Sequence, residues 1–536
     1  MSSVWRKKIA ENLALVHEQA GPEFVVMVTG NENDARYWRT HTSQVRGNLF
    51  RADERVHVTS VAEGSPRGNF LGTLKAWDDA RRAPDTPGSI PDISFMSMVF
   101  GKGKRLSPFC QALGNRKAAF PTPMKAEKLS QYLCTGDLSC LYSNNWVQHL
   151  RQGGFQGVLV KWGDEAILPG LDWPAIRNKF QDMDLIRFVS QTEPTEVLAR
   201  EKDWFVINRN TGLIERQLSR QPLSSLQSQL GNFGTRQYGT AVNLGSIAVS
   251  YTFLEAAREI LAKDMDNPAF AADWDPFIMM ALLSPDESAW QINVLAEEKA
   301  GRAGIRDAEK RYPGFYAAVS SLRSAVKRKT GRPFKIGFLD FGDVFWVDLG
   351  LQITLRQTLA ALTADSEIGF ATREFFGVPH ARDAANNIIV RSPISERSRI
   401  RNSVILDSSI TGPDVQIEGG VVVGGMHRNL LMPEGGAAVF CAVSDMRFTG
   451  ENTIAFRSVA PELSLAKGER HTSIFLSESP ETFISNESVV DYSGDTYSKP
   501  IFGNRLSFEE AGSLAEQVDA IELEDRWKRS REKFSP

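Results

Sequence analysis

The sequence predicts an α/β protein with a mostly parallel sheet, followed by a β-helix-like region of short strands and a helical tail. Three observations lead there. Apolar strands alternate with helical patterns over the first 200 residues, as in a sheet covered on both faces. The pattern then loosens into helical segments before strands resume near residue 335. Past residue 385, apolar residues recur near every sixth position.

In chain order, "MSSVWRKKIAENLALVHEQAG" has charges scattered through its apolar positions, so it reads as an amphipathic helix and lacks the apolar block of a signal peptide. "EFVVMVTG" is a short apolar strand ending in Gly30, and "NENDARYWRTHT" follows with helical spacing. "ERVHVTSVAEG" alternates like a strand, with His57 structural within it. "SPRGNFLGT" reads as a glycine turn and "LKAWDDARR" as a helix. "PDISFMSMVF" is a strand, and "GVLVKWGDEAILPG" is a buried strand ending in acidic residues. Residues 253–330 read as mainly helical from "FLEAAREILAK", "PFIMMALL" and "YAAVSSLRSAVKRK". The sheet resumes at "FKIGFLDFGDVFWVDLG", with a helix in "LQITLRQTLAAL".

The repetitive region is "SPISERSRIRNSVILDSSITGPDVQIEGGVVVGG". Ile394, Ile400 and Leu406, then less strictly Ile410, Val415 and Val421, mark a period of six, as in stacked β-helix coils. A β-sandwich or meander is the alternative. The predicted division is a core over 1–385 carrying a helical insertion at 253–330, a β-helix-like domain over 386–500, and a charged helical tail over 501–536.

A chain of 536 residues is too long for one ordinary core. Its 42% hydrophobic and 24% charged content suits a globular protein, and its net charge of −3 argues against nucleic acid as the main partner. No apolar run approaches the roughly 20 residues that span a bilayer, so no membrane partner is expected. Cys110, Cys134, Cys140 and Cys441 form no CxxC pair, which points to free thiols in a reducing cytoplasm.

The chemistry-bearing stretch is "VFGKGKRLSPFCQALGNRKAAFPTP", residues 99–123. Gly101 and Gly103 let backbone approach a ligand closely. Arg105 offers a forked cation, and Lys117 a point charge able to reach the same phosphates. The stretch fits neither GxxxxGK[ST] nor GxGxxG. A basic surface turn is the plain alternative. Asp164, with Glu165, follows a buried strand where α/β proteins place ligands, and Mg2+ needs only one or two such oxygens; a helix cap fits Asp164 too.

Residues 99–123 resemble the signature of sugar-1-phosphate nucleotidyltransferases, G-x-G-[TS]-[RK]-x-x-P followed by a lysine. "KRLSP" is most similar to the fucose-1-phosphate guanylyltransferase branch. "EGSPRGNFLGTLKAW" occupies the place of that branch's glycine-rich turn, "LVKWGDEAI" resembles the metal-holding strand, "WFVINRNTGLIERQLSRQP" the strand–turn–strand leading to a basic residue, and "FWVDLG" the late W-x-D-x-G block. The likeness spans most of residues 20–430. Departures lie at Gly103, Lys104, Arg220 and the glycine-poor "RGNFLGT".

The resemblance implies a Rossmann-like nucleotidyltransferase core and a left-handed β-helix-like domain. It implies Arg105, Lys117 and Asp164 as catalytic, and Mg2+ on Asp164 and Asp348, with Asp340 and Asp343 as alternatives to the latter. Gly68, Gly72, Thr73, Gly101, Gly103 and Lys104 would contact nucleotide, and Arg220 and Gly245 the sugar phosphate. The expected reaction condenses a sugar 1-phosphate with a nucleoside triphosphate, GTP favoured, releasing pyrophosphate in the cytoplasm. A homo-oligomer through the C-terminal coils is a further expectation. The rival is a non-catalytic nucleotide-sugar-binding protein of the same descent. An acyltransferase would need a histidine base in the coils, and residues 390–424 contain none.

Overall fold

A computed structural model describes residues 3–18, 21–49, 55–60, 68–84, 86–126, 131–170, 179–231, 233, 237–299, 304–489 and 492–533. Part of "EGSPRGN" lies outside the described residues.

Among the described residues the largest sheet has nine strands. Arg55–Ser60, Phe24–Thr29, Ile93–Met98 and Gly157–Trp162 lie side by side in parallel. Phe24–Thr29 and Ile93–Met98 are buried at every position, as strands covered on both faces must be. Alternation along these strands sorts their side chains. Val25, Met27 and Phe95 join one core with Trp5, Ile9 and Trp146 of the helices Ser3–Glu18 and Thr135–Gln152. Phe24, Val26, Val28 and Met96 join the other with Phe70, Phe253 and Val319 of Gly68–Arg82, Tyr251–Ile260 and Phe315–Thr330.

The expectation of a mostly parallel sheet is corrected in the second half. Tyr238–Ser250 runs antiparallel to Gly157–Trp162, Leu185–Gln191 and Trp204–Asn208, and Leu213–Leu218 runs antiparallel to its neighbours, so the sheet is mixed. Two further corrections concern the site. "RGNFLGT" is no turn: helix begins at Gly68, whose φ of 70° makes the entry bend, so Gly72 and Thr73 are helical. The segment "GVLVKWGDEAIL" is two strands, because Glu165–Leu168 leaves the large sheet and pairs antiparallel with Phe345–Asp348.

Past residue 387, short strands stack in parallel, with Ile388, Val404, Val421, Ala437, Ile454 and Arg470 in register. The repeat is thus 16 or 17 residues. The six-residue spacing read from sequence marks successive segments within one repeat, as Ile394 pairs with Ile410 and Ile400 with Ile417. One corner of each repeat holds left-handed backbone at Asn386, Asn402, Gly419, Gly435, Asn452 and Gly468. Asparagine and glycine tolerate that conformation best, which explains this periodic pair of residue types.

The stack packs onto the core around the glycine-rich loop that follows Ile93–Met98. Phe456 stacks on Phe120 at 4.6 Å between ring centroids and meets Phe109 edge-on at 5.4 Å. The tail is two helices, Phe508–Gln517 and Ala520–Glu532, that pack rather than project. Glu516 accepts a hydrogen bond from Asn115 Nδ2 at 2.9 Å, and Arg36 pairs with Asp519. No described helix is long and apolar enough to cross a membrane.

Candidate active site

A cleft of about 560 Å3 opens at the carboxyl ends of Ile93–Met98 and Gly157–Trp162. Its lining includes Arg105, Lys117, Asp164, Glu165 and Asp348, with Gly68, Asn69 and Gly72 from one further segment and Asp273 from another.

The loop after Ile93–Met98 is folded around Lys117. Gly101 and Gly103 take positive φ values of 114° and 58°, and a Cβ on Gly103 would stand 2.9 Å from that of Lys117. Only glycine allows this approach. Lys117 Nζ donates to Asp164 Oδ2 at 2.8 Å. Burial works against both charges, yet each holds the other ionised, raising the pKa of Lys117 and lowering that of Asp164. The charge of Arg105 also acts on Asp164 and Asp348.

Asp348 arrives from a distant part of the sequence. The antiparallel pairing of Phe345–Asp348 with Glu165–Leu168 sets Asp348 opposite Glu165, beside Asp164. Burial and the charge of Asp164 raise the pKa of Asp348, against a hydrogen bond from the Gly350 N–H at 2.9 Å. A Cβ on Gly350 would lie 2.6 Å from Asp164 Oδ2 and 3.2 Å from Asp348 Oδ1, so this glycine leaves room for two facing carboxylates. Of the three aspartates, Asp340 is occupied by Gln191 and the Gly342 N–H, and Asp343 is exposed elsewhere; Asp348 alone of these lines the cleft.

Other expected positions fall differently. Gly68 and Gly72 line the cleft. Thr73 is fully buried behind it, its hydroxyl donating to Asn69 O and accepting from Trp274 Nε1. Its place in the helix turns it inward, which corrects its assignment to the nucleotide. Lys104 points away and lies 4.6 Å over the ring of Tyr497. Arg220 is half-exposed and pairs with Asp203 at 3.6 Å, outside the lining. Gly245 sits at the cleft's edge, where a Cβ would meet Trp162 Nε1 at 3.1 Å and Glu165 Oε1 at 3.4 Å; its φ of 83° accompanies a register shift in Tyr238–Ser250.

Four residues received no role from sequence reasoning. Glu165 is buried, and desolvation drives its pKa up, opposed by Lys161, whose Nζ donates to the Glu165 carbonyl at 2.8 Å. Lys202 lies 3.6 Å over the Trp346 ring, where burial lowers its pKa against the pull of Asp348 and Glu165. Asn69 and Asp273 meet through Gly68, whose Cβ would collide with the Ala272 carbonyl. The "GDE" triplet signalled Glu165; nothing local signalled Lys202 or Asp273.

The arrangement offers two cations and four carboxylates around one opening, which suits a polyanion held together with a divalent cation. In comparisons with known protein families and with curated proteins, nothing matches the chain.

Proposed function

We propose that this protein is a nucleotidyltransferase that joins a sugar 1-phosphate to a nucleoside triphosphate, GTP in preference, and releases pyrophosphate. The convergence of Arg105, Lys117, Asp164 and Asp348 on one cleft carries this reading. The nine-stranded sheet is then a Rossmann-like core, and the stacked repeats a left-handed β-helix that also serves assembly into a cytoplasmic homo-oligomer.

A sugar-phosphate oxygen attacks the α-phosphorus, a new P–O bond forms, and the bond to the β-phosphate oxygen breaks in line. No side chain is modified. Lys117 spends one N–H on Asp164 and keeps two for phosphate oxygens. Arg105, exposed at the mouth, faces the departing pyrophosphate. Such fixed charges stabilise the transition state where its negative charge develops, and phosphoryl-type transfers depend chiefly on that stabilisation and on positioning.

Asp164 and Asp348 fit Mg2+: their carboxylates crowd around a position a Cβ would fill, and burial and the charge of Asp164 leave Asp348 in need of a counter-charge. Bound there, Mg2+ would supply charge neutralisation for the α-phosphate. Lys117 then keeps Asp164 oriented, and Gly350 keeps the space open.

The test is a matrix of nucleoside triphosphates against sugar 1-phosphates, with and without Mg2+, read by pyrophosphate release. Release that requires both substrates is the expected result. Binding of a nucleotide-sugar with no release from any pair would overturn the reading in favour of a non-catalytic binder.

A further inference from the structure

Two carboxylates in the cleft, Glu165 and Asp273, have no task in the phosphate chemistry. Asp273 belongs to the segment before Trp274, in the helical region, and lines the same opening as Lys117 and Asp164. Its position is locked. Asp273 Oδ1 accepts the Asn69 N–H at 2.7 Å, and Asn69 Oδ1 accepts the Trp274 N–H at 2.7 Å in return. The Phe70 N–H donates to the Ala272 carbonyl, and Trp274 Nε1 to Thr73. Four hydrogen bonds thus clamp the two chain segments across a closest approach that Gly68 alone permits.

Asp273 Oδ2 makes no hydrogen bond among the described residues. Burial and the charge of Asp275 raise the pKa of Asp273, against the hydrogen bond from the Asn69 N–H. The carboxylate thus keeps one oxygen open to a ligand. Beside it, Gly68 and Gly72 project no side chain, while Met98, Phe100 and Trp162 give apolar and aromatic surface to the same cleft. A fixed acceptor next to a bare helix start and aromatic surface suits the edge of a planar base.

An ionised carboxylate only accepts hydrogen bonds. Among the common bases, guanine alone sets two donors side by side, N1–H and the N2 amino group. Uracil has one N–H flanked by carbonyls; adenine and cytosine each pair one amino group with a ring acceptor. We propose that Asp273 reads the base in this cleft by accepting the N1–H and N2–H donors of guanine. The assignment rests on the nucleotidyltransferase reading above and adds the residue that selects among nucleotides.

The test is equilibrium calorimetry on the full chain with Mg2+ and no sugar phosphate, using GTP, ITP, UTP and XTP. ITP lacks the N2 amino group, so the unaltered protein should bind it at least about tenfold more weakly than GTP, the worth of one hydrogen bond to a charged group. Asp273→Asn keeps the acceptor for the Asn69 N–H and presents an amide donor beside it. It should lose GTP by about a hundredfold or more and gain XTP, whose C2 carbonyl replaces the amino group. A gain of binding cannot come from misfolding. Equal affinity of the unaltered protein for GTP and ITP, or equal loss of every nucleotide in Asp273→Asn, overturns the assignment while leaving the reaction standing. Absence of binding to any triphosphate overturns both.

Discussion

Lys117 Nζ lies 2.8 Å from Asp164 Oδ2, tying the glycine-rich loop to the tip of Gly157–Trp162. The side chains are 22% and 13% exposed, so the pair is shielded but open to a ligand. Lys117→Ala and Asp164→Ala should each lower turnover by about 10²–10³, by analogy with loss of a single charge-stabilising donor. Each should also lower the melting temperature, because the remaining charge is left partly buried without its partner. A Lys117→Met, Asp164→Leu double variant should regain stability and no activity. Pyrophosphate release and thermal melts measure both; turnover like that of the unaltered protein in either single variant contradicts the assigned role.

Asp348 should trade stability for function. Its pKa is raised, so in metal-free buffer the folded chain binds a proton more readily than the unfolded one. Its contribution to stability is present at low pH and lost as pH rises through the folded value. Asp348→Asn removes the ionised form and should raise the melting temperature at neutral pH without metal. The same change should abolish Mg2+-dependent stabilisation by a triphosphate. A lower melting temperature in EDTA would count against the charge crowding described here.

Acid should weaken the fold through three histidines. Burial pushes His149 down to about 3, and His427 and His471 to about 4, so all are neutral in the native state. Below about pH 6.5 the unfolded chain binds protons that the folded chain refuses. Stability should then fall by about 1.4 kcal/mol per pH unit for each histidine until its folded pKa is reached. Denaturant titrations at pH 7 and pH 5 measure the slope, which His471→Gln should reduce.

The tail should matter to the cleft without touching it. A Cβ on Gly512 would stand 2.5 Å from Asn115 Nδ2, two residues from Lys117. Gly512→Ala should displace the Asn115 amide from Glu516 and shift the loop. Small misplacements cost up to about a hundredfold, so turnover should fall while the melting temperature changes little. Unchanged kinetics would show that the tail does not position the loop.

Much of the fold was legible locally. The strands Phe24–Thr29, Ile93–Met98 and Gly157–Trp162 are short, mostly apolar segments, and the paired glycines beside Arg105, which take positive φ, announce a tight basic loop. The stacking repeat was only half visible. Its apolar spacing of six is real, but the firmer signal is the asparagine or glycine at Asn386, Asn402, Gly419, Gly435, Asn452 and Gly468, where left-handed corners recur. Thr73 and Lys104 misled because a motif fixes neighbours along the chain, not the direction a side chain takes. The helix beginning at Gly68 turned the first inward, and Tyr497 drew the second away.

Composition and short-range patterning were enough to establish an α/β chain with a cationic glycine loop and an acidic strand end. Which carboxylates share the opening was decided by pairing between remote strands, since Asp348 reaches Asp164 only through the two-stranded sheet with Glu165–Leu168. Asp273 likewise enters only because two backbones close on each other at Gly68. Residues next to one another in sequence are constrained by local sterics and hydrogen bonding, whereas contacts between distant segments depend on how whole layers bury their apolar faces, and no short motif encodes that.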